Sequence, residues 1–535
     1  MAEFGTLNWT ILIVYILGNL VLGFVLGRRV ETAQDYALGR RDTPWWAIGV
    51  SVVATYVSAL SFLGGPAWSY TEGMSVILIH MNYPLVIVLV ITLFLPFFYN
   101  SGVASIYDYQ ERRFGSKSRS VIATIFLISQ GFSAAAILYA TSLVLQFITG
   151  IDVLYAIFIV TIIALIYTMM GGIAAVIWTD VVQAIILFVG AGIILYALID
   201  RLPMPLHDTL IALKAQGKTD PFNFNFDFTE VSTVWSGIFA MTIFHVTVYG
   251  VNQMMAQRTL AAKNIGDAKK SYLMMGFVSP FIYFIFIVLG VLLFAYYDGR
   301  EFDNGNTIIL EFAAEYGLPG LMGLIAAAVM AASMSTLDSS LNSMATVATV
   351  DFYQRYVKAD ASDQQLLKVS RGFTLLWAVL IIIPAILFSR TEGSILEILS
   401  KLGSYFVGAK LAMYGMGFFS RHTTERGLLI GVAAGFILVW YVATRTSIAW
   451  PWFTLIGASA NIVVAWAASL ILDGKQEQWS PHSVPGQLKL HREKGLPEKV
   501  GGWYNVAGRL DSISLLMIGY FAFCMGLLWL FNALI

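Results

Sequence analysis

Charge is scarce in this chain and cysteine nearly absent. Lys and Arg number 32, Asp and Glu 32, and together they make up 12% of 535 residues, with a formal net charge of zero. Such a balance offers nucleic acid no basic face. Cys524 is the single cysteine, which excludes an intrachain disulfide and a cysteine-based metal cluster. No small-residue cleavage site follows the first apolar run, so no cleavable signal is expected. Segments outside the apolar runs carry no nucleophile–base or metal-ligand constellation, so an enzyme is not expected either.

What the chain has instead is apolar length. Hydrophobic residues make up 58% of it, the composition of an all-α integral membrane protein. Runs long enough to span occur at about 8–27, 45–70, 75–99, 121–149, 152–170, 174–199, 233–255, 272–297, 320–350, 372–390, 393–419, 428–446, 450–472 and 511–533, about fourteen in all. Basic residues collect in loops of one parity: Arg28, Arg29, Arg40 and Arg41; Arg112, Arg113, Lys117 and Arg119; Arg258, Lys263, Lys269 and Lys270; Arg421 and Arg426. The excess places those loops in the cytoplasm and both termini outside the inner (plasma) membrane. The mostly acidic stretch from Asp298 to Glu315 falls on the other side. The loop 473–510, with Pro481, Pro485 and Pro497, is too short for a catalytic domain. It reads as a linker at the membrane surface, or alternatively as a regulatory docking segment.

Two apolar runs carry polar stripes. Ala332, Ser335, Thr336 and Ser339 fall at i, i+3, i+4 and i+7, one face of a helix. Ala54, Val57, Ser58 and Ser61 repeat that spacing before Gly64-Gly65-Pro66, where a break or kink is expected. Hydroxyls and freed carbonyls suit a small hard cation; the other reading is close helix packing by small residues. A broken, hydroxyl-lined helix early in a polytopic chain points to a transport site.

Five stretches together resemble the sodium:solute symporter family over nearly the whole chain. They are Tyr36-Ala-Leu-Gly-Arg40, residues 58–66, residues 170–183 with Trp178-Thr-Asp180, Asn252-Gln253 with Gln257-Arg258, and residues 335–343. The resemblance implies a LeuT-type fold of two inverted five-helix repeats, here 45–199 and 233–419. Residues 1–44 would hold a leading helix and cytoplasmic loop, 200–232 an extracytoplasmic loop, and 420–535 additional helices with the loop 473–510. It also implies a sodium ion between the first and eighth core helices. The ligands carried over are the carbonyls of Ala54, Val57 and Ala332 and the hydroxyls of Ser335 and Thr336. In the sialic acid branch the aspartate matching Asp180 joins helix-eight hydroxyls around a second sodium, which here would involve Ser335, Asp338 and Ser339. Asp338 departs from the serine of that branch, so a proton could be the occupant. The alternative for Asp180 is a carboxylate facing cytoplasmic water at a helix end.

For the solute, the resemblance points to Ser58, Ser61 and Phe62, to His80 and Tyr83 on the next helix, and to Ser400 or Lys401. Tyr249, Asn252 and Gln253 lie near an expected break in the sixth core helix, and His245, a turn earlier, reads as a packed residue. Lys401 and Lys410, nine residues apart, point to opposite faces of the tenth core helix. Glu397 lies one turn before Lys401, so an internal ion pair competes with a contact to an anionic solute. Sodium/glucose carriers have Glu-Gln where this chain has Leu60-Ser61, and sialic acid carriers an arginine where it has Ser133. The expected function is sodium-coupled import of a small polar solute, a carboxylate or a sugar, by a protein that works as a monomer in lipid. A proton-coupled carrier of the same fold, a transporter-like sensor and a channel are the competing readings.

Overall fold

The computed structural model describes residues 4–27, 32, 42–101, 105–170, 173–476 and 479–535. The Tyr36–Arg40 motif, Arg28, Arg29, Arg41 and Gly171-Gly172 lie outside the described residues. Long apolar runs become helices because a backbone in lipid must satisfy its own hydrogen bonds. Among the described residues ten helices are long and apolar enough to cross a membrane, or eleven if the bent pair Trp45–Tyr56 and Leu60–Glu72 is one crossing. The expected fourteen is not reached by length and composition. Val153–Met170 and Met241–Gly250 are helical but short, and Ile395–Phe419 carries Glu397, Lys401 and Lys410.

The hydroxyl-bearing helix is the centre of the bundle. In Leu321–Val357, 89% of the most apolar window is buried, against 22% for Thr6–Leu26 at the periphery. Small side chains allow such close approach. On a neighbouring pair the limit is reached: a Cβ on Gly290 would stand 2.1 Å from Ser69 Oγ, whose hydroxyl donates to the Ile287 carbonyl at 2.9 Å.

The first core helix does break, but earlier than Gly64-Gly65-Pro66 implies. Trp45–Tyr56 ends at Val57, with φ −81° and ψ 73°, and the chain turns by 52° before continuing. Gly64 and Pro66 lie inside the second half. A widened π turn, Leu60–Gly64, runs directly into Gly65–Glu72, whose first turn tolerates the missing proline N–H. Gly64 serves packing instead, since a Cβ there would lie 2.9 Å from Leu396. The second break falls where expected. Met241–Gly250 ends at Val251, and Asn252 caps Gln253–Leu260 by accepting from the Met254 N–H at 2.9 Å.

Three basic residues assigned to cytoplasmic loops by parity are buried. Arg119 bonds Asp351 at 2.6 Å and Asp108 and Glu111 at 2.9 Å. Lys269 pairs with Asp511, and Arg258 lies fully buried in Gln253–Leu260. The loop 473–510 is more than a linker. It forms the helix Val484–Glu493 and a two-stranded hairpin pairing Lys499 with Tyr504. Tyr109 Oη donates to the His482 carbonyl at 2.8 Å and Asn100 to the Asn505 carbonyl at 2.8 Å, which pins it to the bundle.

Candidate ion and solute site

Both helix breaks open onto one cavity of about 160 Å³. Non-helical backbone at this depth is tolerated because it lines a cavity within the protein. Thr336 Oγ1 donates to the Thr55 carbonyl at 2.9 Å and to the Ala332 carbonyl at 3.1 Å, tying the central helix to the first break. Thr55, Ser58 and Thr336 line the cavity. Ala54, Val57, Ala332 and Ser335 are buried beside it. The chain leaves the helix at Val57, and Ser61 and Phe62 donate their N–H groups to the Ser58 carbonyl, at 3.0 and 3.1 Å. Among the described residues no backbone bond from beyond the break closes on the Ala54 or Val57 carbonyls. Carbonyl and hydroxyl oxygens of this kind match the ligand chemistry of a monovalent cation.

Asp180 is not a helix-end carboxylate facing water. It is fully buried within Ile173–Asp200 and accepts from the Ser51 and Ser335 hydroxyls. Its charge partner is Arg258, 3.1 Å away. That guanidinium also donates to Ser51 Oγ at 2.8 Å, to the Met254 carbonyl at 2.9 Å and to Ser339 Oγ. Two of the residues singled out for a second cation, Asp180 and Ser339, thus bond a cation that the protein supplies. Asp338, one turn beyond Ser335, is buried with its Oδ1 unpartnered among the described residues.

Of the residues expected at the solute, Ser58, Ser61, His80, Tyr83, Tyr249, Asn252 and Ser400 all line the cavity. His80 accepts or donates through Nδ1 to Tyr83 Oη at 3.3 Å, while its Nε2 has no partner among the described residues. Its ring stacks on Tyr283 at 3.9 Å, and Tyr83 stacks on His245 at 4.8 Å. Three expected residues lie elsewhere. Phe62 is fully buried against Phe286, with ring centres 5.7 Å apart. Gln253 uses its Oε1 to accept the Ile106 N–H at 2.9 Å. Lys401 is exposed and outside the cavity lining. No ion pair joins it to Glu397 among the described residues.

The structure adds wall residues that the sequence reading passed over. His245 is packed as expected, its Nδ1 on Asn82 Oδ1 at 2.8 Å, yet it also lines the cavity. Ser133 is there too, as are Tyr56, Gln130 and Lys410. Helical spacing held the signal for Lys410. Ser400, Gly403, Val407 and Lys410 follow i, i+3, i+7 and i+10, and all four line the cavity.

Comparison with known proteins shows the family and the fold. The sequence model of the sodium:solute symporter family matches residues 36–435. The chain is 28% identical to the sodium/sialic acid symporter NanT of Aliivibrio fischeri, covering 87% of this chain and 93% of that one. It is 30% identical to sodium-coupled monocarboxylate transporter 2 of Bos taurus, covering 78% and 68%. The sodium/glucose cotransporter of Vibrio parahaemolyticus is 28% identical over 76% and 78%. A solved sodium-coupled sialic acid symporter, substrate-bound and outward-open, superposes with a TM-score of 0.82 at 26% identity, covering 89% of this chain and all of that one. The nucleobase-cation-symport-1 transporter Mhp1 shares the fold, with a TM-score of 0.52 at 13% identity.

Proposed function

Because the chain belongs to the sodium:solute symporter family, we propose that it is a sodium-coupled symporter carrying a small polar organic solute in the cavity between its two helix breaks. It is a membrane transporter and not an enzyme. The observation that carries the reading is the first break, where the chain leaves the helix at Val57 and the Thr336 hydroxyl donates to the Thr55 carbonyl beside the cavity. We assign the sodium ion to these carbonyls, the Ala332 carbonyl and the hydroxyls of Ser335 and Thr336. Oxygen ligands without a full charge hold a monovalent ion weakly enough to release it each cycle.

The second set, Asp180, Ser335, Asp338 and Ser339, has a different reading. Arg258 already neutralises Asp180 and donates to Ser339. A second sodium would face a guanidinium at bonding distance from two of its ligands, a costly juxtaposition at low dielectric. We therefore propose a single coupled sodium. Solute contacts are assigned to Ser58, Ser61, His80, Tyr83, Tyr249, Asn252 and Ser400, which share the cavity.

The same reading gives the architecture its meaning. The repeats are 45–199 and 233–419, preceded by a leading helix and followed by 420–535, with fourteen crossings in the plasma membrane and both termini extracytoplasmic. A rocking motion of one repeat against the other needs no second copy, so the working unit is a monomer.

Uptake into proteoliposomes under an imposed sodium or proton gradient tests this. The expected result is solute accumulation with sodium alone, following non-cooperative sodium activation. Accumulation driven equally by protons would remove the coupling. Cooperative activation that Asp180→Asn makes non-cooperative would restore the second ion.

A further inference from the structure

On the symport reading just given, we infer that Lys410 selects the solute, and that the solute is a small organic anion with a single carboxylate. Four cationic side chains are buried among the described residues: Arg119, Arg258, Lys269 and Lys410. The first three each lie against a carboxylate, Asp351, Asp180 and Asp511 respectively. Lys410 is only 6% exposed, yet no ion pair reaches it among the described residues.

Its one polar partner among the described residues is neutral. Nζ donates to Ser129 Oγ at 2.6 Å, and that hydroxyl sends its own proton to the Phe126 carbonyl at 3.1 Å. An ammonium has three donors, and Ser129 takes one of them. The ring of Phe126 lies 5.8 Å from Nζ, a weak source of negative potential. An uncompensated buried ammonium is expensive, and inside a membrane it marks a functional position with a missing partner.

The cavity is where that partner can arrive. Among the described residues, Lys410 is the only Lys or Arg that lines it, and no Asp or Glu does. A solute carboxylate would bring the absent negative charge and accept the remaining donors. One cation matches one carboxylate; a dianion would carry an unmatched charge into the same low dielectric. The rest of the lining suits a neutral body. The mutually stacked rings of His80, Tyr83, His245 and Tyr283 line the cavity, and His80 Nε2, unpartnered among the described residues, could bond a hydroxyl or carbonyl group.

The test is sodium-gradient uptake by the full chain in proteoliposomes. The anionic probes are lactate, gluconate and N-acetylneuraminate, succinate serves as the dianion, and lactamide and glucose are the neutral probes. Wild type should take up at least one monocarboxylate, without competition from lactamide or glucose and with little from succinate. Lys410→Met should raise the half-saturating concentration of that anion about tenfold or more, with binding of radiolabelled sodium in the absence of solute unchanged. Lys410→Arg should keep the preference for anion over amide. Sodium-dependent glucose uptake that no anion competes with would overturn the charge assignment and leave the symport reading standing, as would a panel in which no anion is carried. Uptake without sodium dependence for every probe would instead bring down the symport reading. Anion uptake indifferent to Lys410→Met would make the lysine a packing residue. Where that variant fails to fold, competition between lactate and lactamide in wild type decides by itself.

Discussion

Arg258 and Lys410 are both basic side chains buried in the protein interior, and they are treated in opposite ways. Arg258 meets Asp180, two serine hydroxyls and a backbone carbonyl. Lys410 meets one serine. The first arrangement is complete without any visitor, so its charge serves to lock four helices together. The second is short of a negative charge, so its stabilisation comes only when something enters the cavity. A buried charge therefore identifies a binding function by what it lacks, and a full set of partners argues for structure.

The widest gap between the two should appear in stability. Arg258→Met leaves Asp180 buried and unpaired, which is expected to cost about 3–5 kcal/mol, read as a large drop in thermal stability in detergent. Lys410→Met removes a charge with no carboxylate partner and should leave the same measurement unchanged or raised. Equal losses in the two variants would erase the contrast. Next in size is His80→Ala. It removes a stacked ring and the unpartnered Nε2, and should raise the solute concentration for half-maximal transport by about tenfold, with sodium affinity measured without solute nearly unchanged. Normal solute affinity with reduced thermal stability would return His80 to the packed core.

Smaller still is the effect at the ion. Thr336→Ala or Ser335→Ala each removes one proposed ligand oxygen, worth on the order of 1 kcal/mol, and should weaken sodium activation several-fold. Unchanged activation in both variants would refute the site. The smallest effect belongs to Lys401→Ala. Its side chain is exposed and outside the cavity, so uptake should stay within about twofold of wild type, which would sharpen the assignment of its neighbour nine residues on.

The helices and the polar stripe at the centre of the bundle were readable from sequence because their signals are local. Apolar runs report crossings, and the stripe Ala332, Ser335, Thr336 and Ser339 reports a polar face at helical spacing. The break was legible in kind but misplaced, because Gly64 and Pro66 punctuate a sequence whether they end a helix or pack and begin one. Arg258 was misassigned for another reason. Counting charges by loop assumes that each basic residue meets water, whereas its partner Asp180 lies 78 positions away in sequence and reveals itself only in three dimensions. Phe62 and Gln253 sit in the right motifs but turn away, to Phe286 and to the Ile106 N–H. Between Lys401 and Lys410, periodicity showed opposite faces; choosing the cavity face required the neighbours Gly403 and Val407 to be counted with Ser400.

The interruption at Val57 also sets the mechanics of the first core helix. An unbroken helix is stiff because bending lengthens several backbone bonds of adjacent turns at once. Between Tyr56 and Leu60 the regular ladder is already interrupted, so the two halves can swing about that joint by torsion at a few φ and ψ angles. The joint sits beside the cavity lining, as does its counterpart at Val251 and Asn252. Compliance is thus concentrated at the depth where cargo would be held, and the rods on either side stay rigid. Motions about such joints fall in the microsecond-to-millisecond range of collective hinges.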